Sequence, residues 1–253
     1  WYNIYTKQLS NIVDSGLLEI CDQLYIQFLG KEEDFNMAKS ILTPFKNITI
    51  LHNIDLLTFD FPLMEIMRNK AITEDEFYTF YIHSKGVTQK NNENYYGYST
   101  NFEHLYACVN DWRLYMEYFI IRRYDMCIST LDMGYDCCGC NWDELPQPHF
   151  SGNFWWATSS HIKNLPSNQK LNLKDRYQTE NWIGMIKSKQ YCLFKNKAGY
   201  INRISPMTYM DNNDIQKQTD AYKWAMSNYD SFENLNNEVE TIYIEQPTQQ
   251  PQQ

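Results

Sequence analysis

Hydrophobic positions along the first part of the chain follow two alternating periods. From residue 2 to residue 16 apolar side chains recur every three or four positions, which predicts an amphipathic helix. Residues 22–30 then alternate apolar and polar positions and stop at Gly30, which is typical of a β-strand. The change of period within a few residues predicts a helix followed by a strand.

The same two periods continue toward the middle of the chain. They predict a helix at 32–42, a strand at 47–53, a helix at 61–72 with Pro62 in its first turn, and a third strand at 77–86. Strands that alternate with helices favour an α/β fold whose open, mostly parallel sheet is flanked by helices.

The second half of the chain continues the pattern less regularly. It predicts a long helix at 102–119, a strand near 135–142, a strand, turn and helix within 149–166, a helix at 176–186 and a strand at 190–194. From residue 209 the chain is mostly polar, and it finishes in a Gln/Pro-rich run. We therefore expect an α/β domain over 1–205, a helical and polar extension over 206–240, and a disordered tail over 241–253.

Charge and cysteine content exclude several classes of function. The 253 residues carry a net charge of -9 with no basic cluster, which argues against a nucleic-acid partner. No apolar run is long enough to span a membrane. Seven cysteines are typical of reduced thiols, so we expect a cytoplasmic location. Cys137 and Cys140 lack the second ligand pair of a zinc site, which favours buried thiols on a strand.

Polar residues follow the second and third predicted strands. Ligands of open α/β sheets bind beyond the carboxyl ends of the strands. Two sets of polar residues are therefore candidates for a ligand site: Asn53 and Asp55 after the second strand, and His83, Ser84, Lys85 and Gly86 after the third. A lysine on a glycine-hinged turn can hold a phosphate, and Gly86 would let backbone amides approach it. A solvated turn that contains a lysine is the alternative, and position alone leaves both open.

The segment 149–157 combines a flexible turn with aromatic residues. Gly152 and Asn153 tolerate unusual backbone angles, and Trp155 and Trp156 follow. Indole rings can stack on sugars, while an amide can bridge two sugar hydroxyls. The alternative is core packing, because adjacent strand residues point to opposite faces. We expect one tryptophan in the core and the other lining a cleft.

The segment 175–182 offers a carboxylate. Glu180 could act as a general base or contact a substrate hydroxyl. The alternative is a helical surface ion pair between Arg176 and Glu180, worth about 0.3 kcal/mol. Taken alone, this segment favours the ion pair.

Taken together and in this order, the segments HSKG, SGNFWWA and RYxxExWI resemble a family of small glycosyltransferase-like proteins found in bacteria and large DNA viruses. The resemblance covers residues 1–195 and implies a GT-A-like nucleotide-sugar fold. It implies that the His83–Gly86 run at the end of the third strand binds the nucleotide diphosphate, and the position of Asn53 and Asp55 after the second strand adds them to the expected nucleotide-sugar site. The resemblance also implies that Glu180 and Lys85 are catalytic. The residues that it implies for binding the acceptor and donor sugars are Gly152, Asn153, Trp155, Trp156 and Tyr177.

The chain departs from the GT-A pattern in two ways. It has no Asp-x-Asp motif, so we expect Lys85 rather than Mn²⁺ or Mg²⁺ to neutralise the diphosphate, and dependence on a divalent metal stays open. GT-A folds usually begin with a strand, whereas this sequence begins with a helix, so the resemblance would place a first strand before residue 1.

The function expected from the resemblance is transfer of a sugar from a nucleotide-diphosphate donor to a hydroxyl of a glycan, lipid or protein acceptor. The location expected is the cytoplasm, or the host cytoplasm for a viral protein. The missing metal motif favours an alternative, a catalytically inactive module that binds nucleotide sugar or carbohydrate on the same scaffold.

Overall fold

The computed structural model describes residues 1–85, 102–196 and 202–216. Gly86, the expected helical and polar extension beyond residue 216 and the expected tail at 241–253 lie outside these ranges. The chain divides into two compact units, Trp1–Ile204 and Ser205–Gln253. The described part of the second unit contains a 3-10 turn at Pro206–Thr208 and a helical stretch at 212–216.

The first unit is a mixed α/β structure, as predicted. Its helices are α1 Tyr2–Asp14, α2 Leu17–Ile20, α3 Glu32–Leu42, α4 Phe61–Thr73, α5 Phe102–Glu117, α6 Tyr124–Asp132, α7 Ser159–Ile162 and α8 Tyr177–Asn181. Its strands are β1 Leu24–Leu29, β2 Ile48–Asn53, β3 Tyr78–Tyr81, β4 Cys137–Cys140, β5 Trp142–Asp143, β6 His149–Phe150, β7 Trp155–Thr158 and β8 Gln190–Phe194. A π-helical turn, Tyr118–Arg122, joins α5 to α6.

The described strands do not form the single, mostly parallel sheet that we expected. β1 and β2 form a parallel pair, β5 and β6 an antiparallel pair, and the largest sheet has the order β3-β7-β4-β8. Within that sheet only β4 and β8 are parallel, because β7 runs antiparallel to both of its neighbours. The reason is local: the β5–β6 ladder lies between β4 and β7 and closes them into a hairpin, whose arms must be antiparallel.

The two central strands of the larger sheet, β7 and β4, are buried on both faces. Trp155, Ala157 and Cys137 pack with Phe61 and Met64 of α4 on one face. Trp156 points to the other face, where its indole nitrogen donates to the Ile120 carbonyl of the π-helical turn at 2.8 Å. Three thiols of β4, those of Cys137, Cys138 and Cys140, are free and buried, which confirms the interpretation of the CxxC spacing.

A buried polar network joins α1, α5 and the end of β3. Arg113 and Glu117 form an ion pair at 2.6 Å, with both side chains 2% exposed. Glu117 also accepts from Gln8 at 2.9 Å and from Asn11 at 3.2 Å. The Gln8 amide nitrogen donates as well to the His83 carbonyl at 3.0 Å. This network therefore anchors the segment that follows β3 to the helices behind it.

Gly152 is required both by its backbone angle and by its neighbours. Its φ is +98°, and a Cβ at this position would collide with the Met116 side chain and lie 3.2 Å from the Trp112 ring. Gly134 has a similar φ of +83° but nothing within 4 Å of the same Cβ position. The two glycines thus separate backbone strain from crowding.

We expect Gly152→Ala to destabilise the fold more than Gly134→Ala. The left-handed backbone costs each alanine about 1–2 kcal/mol, and crowding adds about 1–3 kcal/mol at residue 152 alone. Urea unfolding of the two variants measures the difference. Equal losses of unfolding free energy would show that Met116 and Trp112 move aside at no cost.

Candidate functional site

The segment that follows β3 meets the Gly152–Asn153 turn directly. Tyr81 pairs with Trp155 across the β3–β7 ladder, and the two rings stack with centroids 5.3 Å apart. Two residues later, the Nε2 atom of His83 lies 2.9 Å from the Gly152 carbonyl. The structure therefore brings together two of the three segments that the sequence singled out.

His83 is a neutral positioning residue in this arrangement. A carbonyl oxygen can only accept, so Nε2 must carry the proton of the hydrogen bond to Gly152. Burial, helped by the charge of Lys85, lowers the pKa of His83 to about 3. A neutral imidazole supplies no positive charge to a phosphate. The expected direct contact between His83 and a diphosphate is therefore not supported, and the ring instead fixes the turn opposite β3.

The depressed pKa of His83 predicts a loss of stability in acid. The folded-state pKa of about 3 lies below the unfolded value of 6.5, so the unfolded chain binds more protons between these values. The stabilising contribution of neutral His83 is complete above pH 6.5 and declines as the pH falls toward 3. One such group changes the unfolding free energy by at most about 1.4 kcal/mol per pH unit.

We expect His83→Asn to make the unfolding free energy less dependent on pH between 6.5 and 4. Asparagine keeps a neutral polar group at this position but does not titrate. His104→Asn, at an exposed position of α5, is the matched control and should leave the slope unchanged. Denaturant titrations at several pH values measure these slopes. Parallel curves for wild type and His83→Asn would contradict the assignment.

Lys85 lies over an aromatic ring beside a carboxylate. Its Nζ atom is 4.6 Å from the Trp112 ring centroid, within the range of a cation–π contact. Burial lowers the pKa of Lys85, the nearby Glu180 charge opposes that shift, and Arg176 adds to it. A partly buried lysine whose charge a carboxylate supports is suited to binding an anion.

Glu180 forms the ion pair that the helical spacing predicted. Arg176 Nη2 lies 3.0 Å from Glu180 Oε1, with the two side chains 45% and 35% exposed. The Arg176 guanidinium also lies 5.2 Å from the Tyr177 ring, which is 58% exposed. The cations Lys85 and Arg176 therefore both lie near the Glu180 carboxylate. The exposed ring of Tyr177 lies beside Arg176.

Asn153 connects the Gly152 turn to the helix that carries Glu180. It is buried with φ +57°, and its Nδ2 donates to the Thr179 carbonyl at 3.4 Å. Its Oδ1 accepts from the Trp155 indole at 2.9 Å. Both ends of this buried amide make hydrogen bonds inside the protein, which does not favour the expected bridge to sugar hydroxyls. Asn153 instead positions the residue that precedes Glu180.

A second carboxylate, not anticipated from the sequence, belongs to this cluster. Burial raises the pKa of Asp60, the nearby Tyr81 hydroxyl lowers it, and the Glu180 charge raises it. The pKa of Tyr81 is raised by burial, then by Asp60 and Glu180. The Tyr81 hydroxyl makes no hydrogen bond of standard geometry among the described residues, but it lies close enough to Asp60 for each group to shift the pKa of the other.

The backbone before Asp60 is strained. Phe59 adopts φ 47° and ψ -144°, angles that non-glycine residues seldom adopt. The Gln27 side chain holds this conformation by donating to the Phe59 carbonyl at 2.6 Å. Asp60 occupies the N-cap position of α4, yet its side chain makes no capping hydrogen bond. The Asp60 carboxylate therefore does not cap α4, although its position in the sequence suggests that it would.

The tryptophan prediction needs correction. Trp155 is 2% and Trp156 3% exposed, so both indoles are packed in the core, although Trp156 also borders a groove beside β3. Helices cover both faces of this sheet, so residues that point in opposite directions are both buried. Of the aromatic residues assigned to sugar, Tyr177 is the one that is open.

The remaining candidates have local roles. Asn53 Oδ1 accepts from the Asp55 amide at 3.0 Å, and Asp55 Oδ1 accepts from the Leu57 amide at 2.9 Å. These two side chains close the turn after β2, and no described hydrogen bond or ion pair joins them to Lys85. Ser84 is exposed beside Lys85. No group of three or more potential metal ligands occurs within residues 1–85, 102–196 and 202–216.

The resulting candidate site consists of Asp60, Tyr81, Lys85, Arg176 and Glu180. The fold and site together define a mixed α/β protein with a mixed-charge cluster beyond the carboxyl end of a strand. Over residues 2–202 the chain matches the family described as Domain of unknown function (DUF8361), and it belongs to that family. No curated protein and no solved structure matches it. None of the helices in the described part of the chain could cross a membrane.

Proposed function

We propose that this protein is a glycosyltransferase with a GT-A-like core, which moves a sugar from a nucleotide diphosphate to the hydroxyl of a glycan, lipid or protein acceptor. The observation that carries the proposal is the convergence of Lys85 and Arg176 with the Asp60 and Glu180 carboxylates beyond β3. Sugar transfer needs cations for a leaving diphosphate and a base for an acceptor hydroxyl, and this cluster contains both.

The two cations suit the leaving group. As the bond between the anomeric carbon and the diphosphate oxygen breaks, negative charge collects on that oxygen. Lys85 supplies a point charge and Arg176 a planar donor pair, which suits binding of phosphate oxygens. Arg176 is partly exposed and can exchange Glu180 for a phosphate. Cations placed where charge develops lower the barrier because they need no reorganisation during the reaction.

The carboxylates suit the acceptor. When Arg176 turns toward the diphosphate, Glu180 is released from the ion pair and can accept the proton of the acceptor hydroxyl. The oxygen of that hydroxyl then bonds to the anomeric carbon as the bond from this carbon to the diphosphate breaks. The raised pKa of Asp60 favours a neutral acid that can donate to a sugar hydroxyl. The exposed Tyr177 ring offers a face for a sugar. Together these groups provide the contacts that we had expected from the tryptophans.

A binding module without turnover is the alternative, and two observations favour it. Glu180 is paired with Arg176 at 3.0 Å, and an ion-paired carboxylate is a weak base. The internal use of Asn153 and the burial of both tryptophans remove three expected sugar contacts. Binding of a nucleotide sugar without turnover would need only the cations Lys85 and Arg176, which contact the diphosphate.

A panel of nucleoside-diphosphate sugars separates the two functions. Binding is measured by calorimetry, and release of nucleoside diphosphate is followed with a set of glycan, lipid and peptide acceptors, with and without Mn²⁺. Binding with turnover of at least one donor supports the transferase. Binding of donors without release under any condition supports the module, and absence of binding contradicts both.

A further inference from the structure

A groove lies between the β5–β6 hairpin and the segment that joins α8 to β8. It has a volume of about 670 Å³, within the range of about 300–1000 Å³ that is usual for small-molecule sites. Residues of the stretch 142–148 form one wall, and residues of the stretch 181–190 form the other. None of the five residues of the candidate site borders this groove, so it is a separate site.

The two walls meet through a close contact that requires a glycine. A Cβ on Gly184 would lie 1.9 Å from the carbonyl oxygen of Pro148 and 2.5 Å from its carbonyl carbon. Gly184 ends the 3-10 turn Trp182–Gly184, and its missing side chain lets the backbone of the hairpin approach that turn. The contact holds both walls in place, so the groove is formed before any ligand binds.

The indole of Trp142 has a fixed orientation at this groove. Its Nε1 donates to Glu144 Oε1 at 2.7 Å. The Gln190 amide, oriented so that its nitrogen donates to the Ser188 carbonyl at 2.6 Å, accepts from the same indole nitrogen at 3.2 Å. The Trp142 ring also packs on Phe150, with centroids 4.8 Å apart, and Phe150 is fully buried. A partly exposed aromatic surface, supported by the core, therefore borders the groove.

Apolar and amide side chains surround this ring. Met185 and Ile186 border the groove and, like Trp142, pack against the hydrophobic core. Gln147 lies on the hairpin wall and Asn181 on the other wall. Neither of these two side chains makes a hydrogen bond within the described part of the chain. Each amide can therefore offer a donor and an acceptor to a ligand.

The charges of the groove balance. Glu144 and Lys187 are the charged side chains among its described lining residues. One carboxylate and one ammonium group favour neither a strongly anionic nor a strongly cationic ligand. The groove therefore suits a neutral molecule, unlike the cluster around Lys85.

A sugar ring matches this combination of surfaces. Its C–H face is apolar and can stack on an indole, while the hydroxyls around its edge both donate and accept hydrogen bonds. A purely apolar ligand would cover the amides without bonding to them, which costs about 1–3 kcal/mol per buried polar group. A peptide strand would need a row of backbone groups, whereas Gln147 and Asn181 belong to two separate segments.

We propose that this groove binds a neutral mono- or disaccharide unit of a glycan. One sugar ring stacks on Trp142 and Met185, and its hydroxyls bond to the Gln147 and Asn181 amides. The Glu144 carboxylate, which already orients the indole, accepts from a further hydroxyl.

The groove is close in sequence to the candidate site but faces another direction. Asn181 follows Glu180 on α8, and successive residues of a helix point about 100° apart. A bound glycan would therefore lie beside the Arg176–Glu180 pair and leave it free. The inference does not depend on sugar transfer. If the proposed transfer also holds, the groove selects a glycan from the three acceptor classes.

Asn181→Ala and Gln147→Ala test the groove without removing its aromatic surface. The full chain, with no nucleotide present, is applied to an array of neutral oligosaccharides built from hexoses, pentoses, deoxyhexoses and N-acetylhexosamines. Affinity for the best oligosaccharide is then measured by calorimetry. Loss of one hydrogen bond should weaken binding by about 2- to 10-fold in either variant. Asn69→Ala, at an exposed position of α4 outside the groove, is the matched control and should bind as wild type does.

Trp142→Leu removes the flat ring but keeps an apolar side chain against Phe150. We expect this variant to lose detectable binding, whereas Tyr191→Leu, which removes a 40% exposed ring outside the groove, should keep it. Circular dichroism and a thermal melt show whether the variants fold. The wild-type protein provides a second measurement, because the indole N–H signal of Trp142, identified by its absence in Trp142→Phe, should shift when sugar is added.

Three results would overturn the proposal. The first is that no neutral sugar binds at millimolar concentration. The second is binding that Asn181→Ala and Gln147→Ala weaken no more than Asn69→Ala does, because the sugar would then bind elsewhere. The third is a displayed peptide, selected in parallel, that shifts the Trp142 indole signal while no sugar does, because the occupant would then be a polypeptide. Failure of the protein to turn over a nucleotide sugar would change none of these results.

Discussion

Replacing Lys85 with alanine is expected to lower turnover of a nucleotide-sugar donor by about 100- to 1000-fold, the usual effect of removing one preorganised group that stabilises developing charge. The ammonium group lies over Trp112, near Glu180 and Arg176, where burial increases the strength of its interaction with an anion. The loss should appear in kcat and in the affinity for nucleoside diphosphate.

Lys189→Ala is the matched control for Lys85→Ala. Lys189 also lies over an aromatic ring, with its Nζ atom 4.4 Å from the Tyr135 centroid, but it belongs to the segment before β8. Its loss should leave turnover and nucleotide affinity within about twofold of wild type, as for a surface residue away from a site. Unchanged turnover in Lys85→Ala would remove this lysine from the mechanism.

Glu117→Ala is expected to cost about 3–5 kcal/mol of unfolding free energy, because it leaves a buried arginine without its counter-charge. Arg113 is 2% exposed, and its Nη1 atom lies 2.6 Å from Glu117. Burial raises the pKa of Glu117, whereas Arg113, Gln8 and Asn11 lower it, so these three groups favour the charged carboxylate. Urea unfolding by far-UV circular dichroism measures the loss.

Glu74→Ala provides the comparison for this buried pair. Glu74 pairs with Lys70 at the same i, i+4 spacing on a helix, but the two side chains are 48% and 30% exposed. An exposed pair contributes about 0–1 kcal/mol, so this variant should unfold almost as wild type does. Losses of similar size in Glu74→Ala and Glu117→Ala would show that burial does not make the Arg113–Glu117 pair more important for stability than an exposed pair.

Most helices and strands could be predicted because their side chains follow clear periods. Apolar residues at every third or fourth position predicted α1 and α5. Alternating apolar and polar residues predicted β1 and β2 to within a residue or two of their observed bounds. Strand direction could not be predicted in the same way. Side-chain alternation is identical in parallel and antiparallel strands, so it does not indicate the direction of β7. That direction follows from the β5–β6 hairpin, which connects β4 to β7.

The site was predictable where a residue stands out by type and position, as Lys85 and Glu180 do. Asp60 was missed because an aspartate before a Pro-containing first turn is the usual sign of a helix N-cap. Only the structure shows that its side chain makes no such bond and interacts with Tyr81. One tryptophan of the pair Trp155 and Trp156 was expected in the core, and the other is buried as well, because a sequence does not reveal whether both faces of a sheet are covered.

A structure of the protein with a bound nucleoside diphosphate would show whether Lys85 and Arg176 hold the phosphates. UDP, GDP, CDP and ADP would be soaked separately, with and without Mn²⁺, and the contacts of the phosphate oxygens would be read from the electron density. We expect phosphate oxygens within hydrogen-bond distance of Lys85 Nζ and the Arg176 guanidinium, with Glu180 released from its ion pair. A diphosphate bound elsewhere, or a site that binds none of the four, would contradict this expectation.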